Sequence, residues 1–138
     1  RKVSDHGEPN LKFALQVNSA PHSGQGSETA YRFCHAALQQ GHEILRVFFY
    51  FEGTYHALAS CVPDDEKNIV KRWSELAIQE NVDLVVCVSA ATRRGLAQDD
   101  PVKNEQMWLL IAEGFRIAGL GQWVEAGILA DRLLIFGD

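Results

Sequence analysis

The stretch VDLVVCV at 82–88 constrains the fold more than any other part of the chain. It is apolar almost throughout, where a half-exposed strand would alternate apolar with polar residues. Such a run is expected of an interior strand of a parallel sheet, covered on both faces. Parallel neighbours are joined by crossover connections, usually helices, so helical segments should flank it. The rest of the sequence fits that demand. LKFALQV at 11–17 alternates with Phe13, Leu15 and Val17 on one face, and EILRVFFY at 43–50 is rich in β-forming residues. Between them, Ala30, Tyr31, Cys34, Ala37 and Leu38 fall on one helical face over 28–40, with Gly41 as the stop.

The second half repeats the pattern. Ile69, Val70, Trp73, Leu76 and Ala77 mark a helix that Asp64 and Asp65 would start, their charge suiting its dipole. Residues 51–63 form an irregular connection, and 96–106 a polar loop. MWLLIAE at 107–113 suggests a short helix, GFRIAG at 114–119 a brief fourth strand, LGQWVEAGILA at 120–130 a helix, and RLLIFG at 132–137 a last strand. Strands alternating with helices imply α/β architecture. The length fits one domain, a flavodoxin-like three-layer sandwich with a mainly parallel five-stranded sheet over 11–138. Residues 1–10 are polar and read as a leader or remnant outside it.

Composition narrows the partners. The chain is 46% hydrophobic and 22% charged, which is ordinary for a globular protein. Its net charge of −5 argues against direct, phosphate-dominated binding of nucleic acid. No run is long enough to span a bilayer. Three cysteines, Cys34, Cys61 and Cys87, form no CxxC pair, and the five histidines show no metal-ligand spacing. Free thiols in a reducing, cytoplasmic setting are expected, with neither metal nor cofactor.

Cys87 stands at the carboxyl end of the third strand, and in open α/β sheets the active crevice lies outside the carboxyl ends of the strands. Ser89, Ala90 and Ala91 follow, then Arg93 and Arg94. A thiol is reactive as its thiolate, which nearby positive charge or a helix N-terminus favours. A free cysteine is equally at home as a small buried hydrophobe, and periodicity alone leaves both readings open. The SGQGSET segment after the first strand has Gly24 and Gly26 but Thr29 where GxGxxG needs its third glycine. A flavin- or nucleotide-binding module using loop 18–27 is therefore the weaker alternative, and no GxSxG elbow supports a hydrolase.

KFALQV at 12–17, GHEILRVFFY at 41–50, RWSELA at 72–77, VVCVSAATRRG at 85–95 and GLGQWVEAGILADRLLIFGD at 119–138 together resemble the DsrE/TusD family of sulfur-relay subunits, within the wider DsrE/F-like group. The resemblance implies a sulfurtransferase that carries sulfur as a persulfide on the cysteine of the VVCV segment, here Cys87, with Arg93 and Arg94 as supporting cations. It further implies DsrF/TusC-like and DsrH/TusB-like subunits in a heterohexamer, a TusA-like donor and a DsrC/TusE-like acceptor. The pathway is dissimilatory sulfur oxidation in the DsrE branch and tRNA 2-thiouridine synthesis in the TusD branch. A non-catalytic assembly subunit with a merely packed cysteine is the remaining alternative.

Overall fold

The computed structural model describes residues 10–21, 25–57, 68–94 and 111–137. Among them five strands form one sheet in the order β4-β3-β2-β1-β5, every pairing parallel: β1 Lys12–Val17, β2 Glu43–Phe49, β3 Leu84–Cys87, β4 Phe115–Ala118 and β5 Arg132–Phe136. Helices α1 (Gly26–Gln39) and α2 (Ile69–Glu80) cover one side, and α4 (Gly121–Leu129) lies over the other. A six-residue helix, α3 (Val88–Arg93), follows β3 directly, and a 3-10 segment, Phe51–Ala57, follows β2. The chain steps from β1 to β4 in one direction, then returns through α4 to set β5 beside β1. Right-handed crossovers put helices on opposite faces when the stepping direction reverses, which yields the expected three layers.

Strand alternation divides the core in two. Leu15, Val17, Val47, Phe49, Leu84 and Val86 meet Ala30, Cys34 and Leu38 of α1 and Val70, Trp73 and Leu76 of α2. On the opposite side Phe48, Val85, Cys87 and Ala90 form a smaller cluster. A register shift opposite Phe13 and Ala14, which pair with Ile44 and Arg46, resets the alternation of β2. That bulge keeps Ile44 on the same side as Val47 and Phe49 while aiming Arg46 and Phe48 at the other.

Helix ends follow local chemistry. Asn68 caps α2, its Oδ1 accepting from the N–H groups of Val70 and Lys71, and Asn81 closes the helix in the left-handed region at φ 56°. The expected acidic start at Asp64 and Asp65 lies outside the described residues, and α2 itself begins at Ile69. Gly41, at φ 89°, makes the turn after α1 as its spacing predicts. The third strand is shorter than the apolar run: it ends at Cys87, and Val88 already belongs to α3.

Candidate functional site

The end of β3 is where strand becomes helix. Cys87 has extended backbone angles, φ −67° and ψ 120°, and is the N-cap of α3 without making a side-chain capping bond. It pairs in register with Ala118 of β4. It shares the smaller cluster with Phe48, Val85 and Ala90, and the half-buried Tyr50, Ala118 and Trp123 pack against that group. The Trp123 ring stacks on Phe48 with centroids 5.5 Å apart and planes 21° apart. Cys87 is 0% exposed. The strand-end position agrees with the sequence reading, and in the single chain the thiol is closed from solvent.

The two arginines close the short helix that Cys87 opens. Arg93 is the last residue of α3 and Arg94 its C-cap. The guanidinium of Arg94 donates from Nε and Nη2 to Glu52 Oε1, at 3.1 and 2.8 Å, and from Nη1 to the Ala90 carbonyl at 3.2 Å. Its charge thus ties α3 to the 3-10 segment. Arg93 is exposed in the last turn. Local sequence could not show this, because Glu52 is 42 positions from Arg94.

A charged network invisible to motif reading sits under α4. Asp83, just before β3, accepts from Arg46 Nε at 2.7 Å and from Arg116 Nε and Nη2 at 2.7 and 2.8 Å. Burial pushes Asp83 up, but the bonds from Arg116 and Arg46 outweigh it and hold the carboxyl below its usual range. Arg46 Nη1 then donates to the Gln122 carbonyl at 2.7 Å, and Arg116 Nη2 to Gln122 Oε1 at 2.7 Å. The first turn of α4, next to Trp123, is fastened to β2, β3 and β4 through these groups.

The remaining candidates resolve as packing or fall outside the described residues. Cys34 is fully buried on the inner face of α1, and burial pushes its thiol well above the ordinary range. Cys61 lies outside the described residues, as does 95–110. Gly26 opens α1 because a Cβ there would collide with Ser19 Oγ and the Gly137 carbonyl, so close packing explains this glycine of the 18–27 loop. His56 is buried: its Nδ1–H donates to the Gly53 carbonyl at 2.7 Å, leaving Nε2 to accept from Ser27 Oγ at 2.7 Å, while Trp73 Nε1 donates to that same oxygen at 3.0 Å. This network joins α1, α2 and the 3-10 segment. Among the described residues no group of His, Cys, Asp and Glu could hold a metal ion, and no helix is long and apolar enough to cross a membrane.

Residues 11–136 match the DsrE/DsrF-like family, which takes in every element described above. The chain belongs to that family. DsrE of Allochromatium vinosum is 50% identical over 130 residues, covering 93% of this chain and all of that protein. A relative named sulfurtransferase TusD homolog, from Vibrio vulnificus, is 39% identical over 91% of this chain and 98% of its own length. The crystal structure of the ychN protein from E. coli superposes with a TM-score of 0.73 over 91% of this chain and 99% of that one; at 20% identity it speaks for the fold alone. The resemblance to DsrE/TusD proteins and the assignment as a sulfurtransferase both stand in this DsrE/DsrF-like chain.

Proposed function

We propose that this chain is a sulfur-relay subunit carrying sulfur as a persulfide on Cys87. The observation that supports the reading best is the place of that thiol. It ends an interior strand at the carboxyl edge of a parallel sheet, where such sheets keep their active crevice, in the smaller of the two buried clusters rather than the main core. In the forward step the Cys87 thiolate attacks the outer sulfur of a donor persulfide. The donor's S–S bond breaks, its inner sulfur leaves as a thiolate, and Cys87 holds the outer sulfur and its proton as S–SH. An acceptor thiolate then attacks the same outer sulfur and Cys87 leaves as thiolate. Neither step consumes an oxidant or reductant or needs a cofactor, and the rate depends on thiolate fraction, leaving group and access.

Arg94 serves this chemistry by holding α3 against Glu52, and Arg93 remains available to a partner surface. The donor is a TusA-like protein and the acceptor a DsrC/TusE-like one, with DsrF/TusC-like and DsrH/TusB-like subunits completing a heterohexamer in the cytoplasm. The end use is sulfur oxidation or tRNA thiolation. The test is mass spectrometry after incubation with a persulfide donor. Cys87 should gain about 32 Da per sulfur. Cys87→Ser should abolish the gain and Cys34→Ser should not; undiminished loading of the Cys87→Ser chain would refute the reading and leave an assembly role.

A further inference from the structure

We infer that Trp123 is a positioning residue for the sulfur-transfer site: it is the movable cover that sets how often Cys87 is open to another molecule. The inference rests on the reading of Cys87 as the sulfur carrier, and it answers the difficulty that this thiol is fully buried. Something must move before any sulfur can reach it. Val85 and Phe48 are paired neighbours in the sheet floor, and Ala118 flanks Cys87 on β4. Among the described residues Tyr50 and Trp123 are the half-buried aromatic side chains packed on this cluster, and Trp123, stacked on Phe48, is the one that α4 contributes.

The helix that carries Trp123 is suited to move. Only Ala126 of α4 is fully buried, and Leu120, Val124, Ile128 and Leu129 project into solvent, Ile128 at 77% exposure. Few apolar contacts therefore resist a shift of this helix, and segments of that kind open locally most readily. Its first turn is instead held by polar bonds, from Arg46 to the Gln122 carbonyl and from Arg116 to the Gln122 side chain. Bonds from a charged donor are stronger than neutral ones, but they can be exchanged for bonds to water when the helix shifts. They act as the catch, and Trp123 as the cover.

Cys34 provides an internal reference. It is equally buried, but in the main core beneath α1, where only unfolding of that core would expose it. The experiment is the rate of iodoacetamide labelling of each cysteine in the native chain, read separately by peptide mass. Trp123→Ala should label at Cys87 about tenfold faster or more, with Cys34 unchanged, as expected for a local opening. Trp123→Phe, which keeps an aromatic ring on Phe48, should restore most of the protection. Arg116→Gln should give a smaller rise confined to Cys87. Equal acceleration at both cysteines would mean general destabilisation and overturn the inference, as would an unchanged Cys87 rate in Trp123→Ala. Persulfide loading of the unsubstituted chain is scored independently, so a failed cover leaves the sulfur reading standing, and a failed loading leaves the cover measurable.

Discussion

Cys34 and Cys87 are equally shielded from water, yet they occupy different kinds of interior. Cys34 is one side chain of a core that extends from β1 across to β4 and is roofed by two helices. Cys87 belongs to a cluster of four buried residues whose outer boundary is half-exposed. Burial percentage does not distinguish them. What distinguishes them is the size of the cluster around the sulfur: the large core for one, a group of four buried residues for the other. A thiol in the first setting is packing material. In the second, opening of the smaller cluster alone would reach it, as the proposed role in sulfur transfer requires.

Trp73 and Trp123 give the largest test of that contrast. Trp73 is fully buried, meets Phe49 and Tyr31 edge-on, and donates to Ser27 Oγ. Trp73→Ala should cost about 3–5 kcal/mol in denaturant unfolding, through lost packing and a cavity. Trp123→Ala removes a half-buried ring from the smaller cluster and should cost about 1–2 kcal/mol. Equal losses would show that the two interiors are one cooperative unit and that the thin cover is no easier to open than the core.

Serine substitution separates the thiols themselves. Cys34→Ser would put a hydroxyl into an apolar helix–sheet contact and should cost about 1–3 kcal/mol. Cys87→Ser places a favoured N-cap residue at the N-cap of α3, and its oxygen can accept from a first-turn N–H. The capping bond should offset most of the desolvation, leaving a change within about 1 kcal/mol. Thermal or denaturant midpoints of the two variants check this. A larger loss at Cys87 than at Cys34 would reverse the comparison. The expected neutrality also makes Cys87→Ser a clean probe of sulfur loading.

Much of this was legible in the sequence, for a physical reason. Helical and strand periodicities are local, so the inner faces of α1 and α2, carrying Cys34 and Trp73, could be read from spacing alone. The end of β3 was less legible because Val88 prolongs the apolar run although its backbone is already helical. The site's surroundings are non-local. Glu52 meets Arg94 across 42 positions, and Arg46 meets Gln122 across 76. Arg94, adjacent to the cysteine motif in sequence, is engaged by Glu52 and by the Ala90 carbonyl, partners that the local sequence does not announce. A cover contributed by Trp123, 36 positions after Cys87, leaves no local signal at all.

The smallest effect concerns the charges that fasten the helices on each face. On the main-core side Glu28 of α1 receives two bonds from Arg72 of α2, one at 3.0 Å, and one from Arg32 at 2.9 Å. Hydrogen bonding from Arg72, opposed by burial and aided by Arg32, lowers the Glu28 carboxyl to about 2. A carboxyl that titrates lower in the folded than in the unfolded chain stabilises the fold fully above its unfolded value and loses that contribution as pH falls through its folded value. The contribution of Glu28 should therefore fade between about pH 4.5 and about pH 2. Glu28→Gln should flatten the acid-side slope of stability in that window and leave Cys87 labelling untouched, since this pair braces the opposite side of the sheet. Partial solvent exposure keeps the loss at neutral pH to roughly 1 kcal/mol or less. If Glu28→Gln instead accelerated labelling of Cys87, the two faces would be coupled through the sheet, and the cover over the sulfur would answer to more than its own helix.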